Sequence, residues 1–106
     1  DLLYDTIHQC CKQLRALGVF NMLLSNGDMM ISFCSNNLHF ITRQAPFEHA
    51  NLIDADVSLD FSRVTNHTDV VTVIATKPLT DNEMWTKFEQ GDFKVFKEGK
   101  VLHSDN

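Results

Sequence analysis

Residues 69–85 read DVVTVIATKPLTDNEMW and contain the longest unbroken apolar run of the chain. Residues 70–75 are rich in β-branched side chains and are bounded by polar positions, a pattern that predicts a strand covered on both faces. Because Pro78 cannot donate a hydrogen bond to a sheet, we expect this strand to stop near Thr76 or Lys77.

The polar segment after the strand predicts a corner of the chain. Thr80 is followed three residues later by Glu83, which has the form of a capping box and favours one helical turn before Trp85. We interpret this stretch as a central strand that leaves the core through a tight turn.

Composition limits the class of protein. The chain has 106 residues, 43% hydrophobic and 22% charged, which predicts one globular domain, or part of one, over residues 1–106. The net charge is −5 and the nine basic residues are scattered, which argues against binding to nucleic acid or to an anionic membrane surface. No apolar run approaches the roughly 20 residues that span a bilayer.

The ends and the cysteines add two expectations. The chain starts at Asp1 rather than Met, so we expect the natural N-terminus to lie upstream. The three cysteines are an odd number, with Cys10 and Cys11 adjacent, and they imply no disulfide framework. A reducing compartment, the cytoplasm, fits this pattern.

Residues 2–17 predict a helix with one apolar stripe. Asp1 or Asp5 can cap its start, and Gly18 suits the position after its end. The stripe is expected to contain six residues: Leu3, Ile7, Cys10, Cys11, Leu14 and Leu17. The two cysteines could bind a metal or act as reactive thiols, but small buried side chains are the better interpretation.

The remainder predicts an antiparallel sheet and therefore an α+β fold. Asn26-Gly27 is the signature of a two-residue hairpin turn with positive φ at both positions. We expect strands at residues 19–25, 28–34, 38–43, 57–61, 70–75, 93–97 and 100–102, with the first three forming a meander. Residues 44–55 are expected to be loop and residues 103–106 a frayed tail. The central members of the sheet should include residues 19–25 and 70–75.

The search for a chemical site is negative. The five histidines (His8, His39, His49, His67 and His103) lack the spacing of metal ligands, and His39 is interpreted as a cross-strand partner. Asp54 and Asp56 are interpreted as a solvated pair, and no phosphate-binding or nucleophile-elbow motif occurs. No catalytic, cofactor-binding or metal-binding residue is predicted. A small ligand-sensing or protein-interaction module is one function compatible with this pattern.

Two spaced motifs carry a resemblance to a known family. They are FNMLLSNG at residues 20–27 and VIATKPLTDNEMW at residues 73–85, with the hairpin order between them. From Leu14 to Leu102 the chain resembles the C-terminal part of class II glutamine amidotransferases, and in particular the small stand-alone bacterial type. These enzymes are N-terminal-nucleophile hydrolases.

The resemblance implies a four-layer α/β/β/α sandwich and a catalytic centre outside this chain. In such enzymes an N-terminal cysteine attacks the side-chain amide of glutamine, with its own α-amino group as base. A backbone amide beside an Asn side chain forms the oxyanion hole, and an Arg and an Asp hold the substrate. All of these lie upstream of the matched region. Asn26-Gly27 is a hairpin tip, not the oxyanion pair, and none of Cys10, Cys11 and Cys34 stands at the nucleophile position.

The chain is therefore expected to be the scaffold half of an enzyme that acts on glutamine or a γ-glutamyl amide. Its partner would be the N-terminal half of the same domain. Residues 76–85 would lie closest to the catalytic centre, without an assigned chemical role. In isolation, open sheet edges should drive self-association.

Overall fold

The computed structural model describes residues 1–45, 49–53, 57–60 and 69–106. Its elements are α1 (Leu2–Arg15), β1 (Met22–Ser25), β2 (Met29–Phe33), β3 (His39–Gln44), β4 (His49–Leu52), β5 (Val57–Asp60), β6 (Val70–Ala75), β7 (Thr86–Lys87), β8 (Phe93–Lys97) and β9 (Lys100–Asp105). One helix with antiparallel strands makes this an α+β fold, as the sequence predicts. Within these described ranges, no helix is both long and apolar enough to cross a membrane.

The structure forms three layers: a helix, a sheet and a second sheet. The first sheet has the strand order β1-β2-β8-β9, and α1 covers one of its faces. The second sheet has the order β6-β3-β7 and packs on the other face. A separate two-stranded sheet pairs β4 with β5.

Two buried clusters join these layers. The cluster under the helix contains Cys11, Ile31, Phe33, Phe93 and Val95. The cluster between the two sheets contains Cys34, Leu38, Phe88 and Phe96, with Met30, Phe40 and Ile74 against it. Alternate residues of β2 and β8 therefore serve both clusters, because successive side chains of a strand point to opposite faces.

The helix begins as predicted, with the Asp1 carboxylate accepting a hydrogen bond from the Leu3 amide at 2.8 Å. The predicted apolar stripe is largely wrong. Cys10 is exposed, Leu3 and Leu14 are 57% and 46% exposed, and Leu17, beyond the helix end at Arg15, is 86% exposed.

The buried stripe is rotated toward Tyr4, Ile7, His8 and Cys11. His8 is only 4% exposed, and its ring stacks on Phe93 with 4.7 Å between the ring centroids. An imidazole counted as polar in the sequence pattern therefore takes a core position, and the leucines beside it turn outward.

The predicted meander is also wrong. β2 pairs with β8, and Ser32, for example, lies opposite Lys94, 62 positions away in sequence. β3 joins the second sheet and pairs with β6. The strands predicted to be central, β1 and β6, are edge strands of two different sheets among the described strands. The chain changes sheets in the β2–β3 connection because both ends of that connection, Cys34 and Leu38, are buried in the cluster between the two sheets.

The tip of the β1–β2 hairpin differs in detail from the prediction. Gly27 has φ of 88°, but Asn26 is not among the non-glycine residues with positive φ in the described chain. Instead the Asn26 side-chain oxygen accepts hydrogen bonds from the amides of Asp28 and Met29, at 2.8 and 2.9 Å. Three residues separate the two strands, and the Asn26 side chain closes the turn together with the Asn26 backbone amide, which donates to the Met29 carbonyl at 3.3 Å.

Two further expectations about the chain are wrong. Part of the predicted loop at residues 44–55 is β4, which pairs with β5. The predicted frayed tail is part of β9, which extends to Asp105 and pairs with β8. His103 holds this segment in place, because its ring lies 5.2 Å from the Tyr4 ring and 6.2 Å from the Phe93 ring.

Candidate functional site

The corner at residues 76–85 is held by a continuous chain of side-chain hydrogen bonds that runs from Trp85 through Thr80 and Glu83 to Arg43. The Trp85 indole donates to the Thr80 hydroxyl at 2.8 Å, and that hydroxyl donates to Glu83 at 2.8 Å. The Arg43 guanidinium of β3 donates a hydrogen bond to each carboxylate oxygen of Glu83, at 2.6 and 2.8 Å. Thr80 is 3% exposed, so its hydroxyl is a buried junction. The network anchors the corner on the second sheet.

This network replaces the helical turn expected from the capping-box pattern. Residues 81–83 form a bend, not a helix. The Glu83 carboxylate is engaged by Arg43 and Thr80 rather than by a backbone amide. The capping-box prediction is therefore wrong, because the Thr80 hydroxyl donates to the Glu83 carboxylate and the two side chains bond to each other across a bend.

The charge of Glu83 is fixed by the same contacts. The hydrogen bond from Arg43 lowers the pKa of Glu83 below its ordinary value of 4.5, burial opposes this, and the Thr80 hydroxyl adds to the lowering. The side chain of Arg43 is 13% exposed and that of Glu83 is 17% exposed, so this ion pair is largely shielded from water. Glu83 is therefore ionised at neutral pH and suits a structural anion better than a proton donor.

Asn21, in the first motif, is a second polar clamp. Its side-chain oxygen accepts hydrogen bonds from the amides of Ser35 and Asn36, at 2.8 and 3.1 Å. Its side-chain nitrogen donates to the Asn36 carbonyl at 2.6 Å. Asn21 therefore connects the residues just before β1 to the segment just after β2. The sequence predicted only that Asn21 lies in a strand.

The three thiols do not form a nucleophilic centre. Burial raises the pKa of Cys11, and the nearby Cys10 raises it further. Burial also raises the pKa of Cys34, partly offset by the backbone hydrogen bond from Leu38. Both side chains are 1% exposed, and a buried thiol with a raised pKa is a poor nucleophile. Cys10 is exposed on α1, which corrects its prediction as a buried side chain.

The histidines occupy structural positions where they are described. Besides its stacking on Phe93, His8 has Nε2 3.4 Å from the Gly91 carbonyl and Nδ1 3.7 Å from the Asp105 carboxylate. His39 lies opposite Ala75 and Lys87 in the second sheet, and its buried Nδ1 has no hydrogen-bond partner in the described part of the chain. Its prediction as a cross-strand residue is confirmed.

Other candidates cannot be placed. Asp54, Asp56 and His67 lie outside the described residues, as does the side chain of His49. Among the side chains that are described, no group of three or more His, Cys, Asp or Glu could hold a metal ion.

Comparison with known proteins gives a consistent result. The family model for "Glutamine amidotransferases class-II" matches residues 1–106. YafJ of Escherichia coli, provisionally named a glutamine amidotransferase, is 53% identical over 93 residues, which are 88% of this chain and 36% of YafJ. A Haemophilus influenzae protein with the same provisional name is 47% identical over 100 residues, covering 94% of this chain and 34% of that protein.

A solved structure agrees with the fold. The crystal structure of a protein from Pseudomonas aeruginosa, described as a predicted glutamine amidotransferase, superposes with a TM-score of 0.83 at 48% sequence identity. The match covers 96% of this chain and 40% of that one. The chain thus spans about a third of the length of the curated relatives named above.

Proposed function

The chain belongs to the class II glutamine amidotransferases, and from this premise we propose that it is the scaffold half of a longer enzyme. That enzyme hydrolyses the side-chain amide of glutamine or of a γ-glutamyl compound. The nucleophile is an N-terminal cysteine in the preceding half of the same domain. Its thiol attacks the amide carbon, its α-amino group takes and returns the proton, ammonia leaves, and water releases the acyl group.

One observation carries this proposal. The family match covers residues 1–106, yet the three thiols of this region do not form a nucleophilic centre. Cys11 and Cys34 are buried with raised pKa, and Cys10 is on the outer surface of α1. A family member in which this region lacks the reacting groups must carry them in another part of the protein.

The described residues supply a frame rather than reacting groups. They provide the helix, parts of two sheets and the anchored corner at residues 76–85, which we place nearest the catalytic centre. The N-terminal half of the domain is the direct partner, and the cytoplasm is the compartment. Without that half, the chain associates with itself through its open sheet edges, which sedimentation velocity over a range of concentrations tests directly.

The decisive experiment measures glutamate and ammonia release from glutamine, and separately from a γ-glutamyl amide. Three proteins are compared: the longer protein, its N-terminal Cys→Ala variant, and this chain alone. We expect turnover only in the first. Turnover by the chain alone would mean that its own thiols react. A longer protein silent on both substrates would refute the enzymatic proposal and favour a ligand-sensing or protein-interaction module.

A further inference from the structure

We propose that His8 is a pH-dependent latch: when it is protonated it gains a second N–H and fastens α1 both to the turn before β8 and to the end of β9. This inference goes beyond the proposed function and does not depend on it. The groups that form the latch are all described side chains or backbone atoms of this chain.

The His8 ring lies between two oxygen atoms that can only accept hydrogen bonds. Its Nε2 is 3.4 Å from the Gly91 carbonyl oxygen, and its Nδ1 is 3.7 Å from a carboxylate oxygen of Asp105. A neutral imidazole carries one N–H, so it can donate to only one of these oxygens and turns a lone pair toward the other. A protonated imidazole carries two N–H groups and can donate to both. The two acceptors therefore favour the charged form of the ring.

The aromatic neighbours of His8 favour the same form. Its ring is stacked on that of Phe93, with 4.7 Å between the centroids and 18° between the planes. Phe33 presents a second ring to it, edge to face, at 5.9 Å. The face of an aromatic ring attracts a cation, and more strongly away from water. Burial of His8 opposes the charge, so the strength of the latch is a balance that the pH can shift.

Charged and titratable groups surround His8 and its two acceptors from three elements. They are Asp105 and His103 from β9, Asp92 from the turn, and Lys12 and Arg15 from α1. The two carboxylates support a positive charge on the ring, and the two cations of α1 oppose it. A hydrogen bond from the Asn106 amide lowers the pKa of Asp105 below its ordinary value of 3.8, and His8 lowers it further. The carboxylate is therefore ionised throughout the range in which a histidine titrates.

The latch acts on a place where three segments already meet. The Asn106 side-chain nitrogen donates to the Gln90 carbonyl at 3.1 Å and to the Asp92 carboxylate at 2.7 Å, which joins the end of β9 to the turn. Protonated His8 adds α1 to this pair of segments. The added stability is complete well below about pH 6.5, where an exposed histidine titrates, and is lost as the pH rises above it.

Thermal unfolding of the longer protein at about pH 5.5 and about pH 8 tests the inference. His8→Phe keeps an aromatic ring that cannot be protonated, and Asp105→Asn removes the carboxylate at an exposed side chain. The quantity measured is the thermal midpoint of the unmutated protein minus that of the variant. We expect this difference to be roughly 2–4 °C larger at the lower pH for each variant.

His103→Phe is the matched control. His103 is a second histidine beside Asp105, but its ring packs on Tyr4 and Phe93 instead of lying between two acceptors. We expect its substitution to change the same difference by less than about 1 °C. Nitrogen-15 NMR of the His8 ring in the unmutated protein gives a second readout that does not depend on a variant folding. We expect protons on both ring nitrogens at the lower pH.

Several results would overturn the inference. A His8→Phe difference that is equal at the two pH values, or smaller at the lower one, would mean that the buried ring prefers to be neutral. A single proton on the His8 ring at the lower pH would mean the same. A pH effect for His8→Phe without one for Asp105→Asn would show that the carboxylate is not part of a latch. Neither readout uses glutamine hydrolysis, so the outcome is separate from that of the proposed function.

Discussion

The buried hydroxyl of Thr80 offers the sharpest test of how the corner at residues 76–85 is held. Thr80→Val keeps the shape of the side chain and replaces its hydroxyl by a methyl group, which can neither donate nor accept a hydrogen bond. The hydroxyl donates to the ionised Glu83 and accepts from Trp85, both at 2.8 Å. The substitution therefore leaves an indole N–H and a carboxylate each short of one partner.

The magnitude follows from these two bonds. A hydrogen bond to a charged group contributes about 1.5–3 kcal/mol and a neutral one about 1 kcal/mol. Part of this loss is recovered, because Arg43 still holds both oxygens of Glu83 and Trp85 is only partly buried. We expect a loss of roughly 2–3 kcal/mol in the free energy of unfolding, which lowers the urea midpoint by about 1–2 M.

The assay is urea unfolding followed by fluorescence, and Trp85 is the only tryptophan of the chain, so the signal comes from the network itself. Thr86→Val is the matched control, because Thr86 is exposed in the next strand and should change stability by no more than about 0.5 kcal/mol. If Thr80→Val were as mild as Thr86→Val at unchanged slope, the hydroxyl would not be the junction described.

Three further outcomes are expected. Because the pKa of Glu83 in the folded state lies below 4.5, its contribution to the free energy of unfolding is complete above pH 4.5 and is lost as the pH falls through the lowered pKa. Glu83→Gln should therefore remove this part of the acid dependence. The measurement is the free energy of unfolding as a function of pH. Gly99→Ala would place a Cβ 2.2 Å from the Val70 carbonyl oxygen, whereas at Gly27 it meets nothing within 4 Å. Both have positive φ, so Gly27→Ala should cost about 1–2 kcal/mol and Gly99→Ala at least about 2 kcal/mol more in the same denaturation assay. With a thiol reagent, Cys10 should be modified rapidly and the two buried thiols only on unfolding, and rapid labelling of all three would contradict the packing.

Local sequence patterns predicted the positions of the helix and most strands, but not which strands pair with one another. The helix cap at Asp1, the end of β6 at Ala75 and the positive φ of Gly27 depend on residues next to each other in sequence. The assignment of β2 and β3 to different sheets depends on contacts with β8 and β6, which lie tens of residues away. A strand that alternates polar and apolar residues reports that it has a buried face, but not which sheet it joins.

The candidate site shows the same division. The spacing of Thr80 and Glu83 was interpreted as a capping box, but the two side chains bond to each other because Arg43, from a strand 40 residues away, also holds Glu83. His8 was missed because a histidine on a helix counts as polar in a hydrophobic pattern, although its ring stacks on Phe93 in the core. The apolar character of β1 and β6 was read as central position in one sheet, and it instead accompanies two open edges.

The hairpin of β1 and β2 is pinned at both ends, which has a consequence for the order of folding events. Asn26 closes its tip, and Asn21 joins its base to residues 14 and 15 positions further on. A shift of one residue in the pairing of β1 with β2 would exchange the faces of Leu23 and Leu24. The hydrogen bonds of Asn21 and Asn26 at the two ends of the hairpin oppose such a shift. Hairpins form in about 1–10 μs, whereas pairing β2 with β8 must close a loop of some 60 residues. We therefore expect this hairpin to form early with its register already set, giving the later strand a template on which to align.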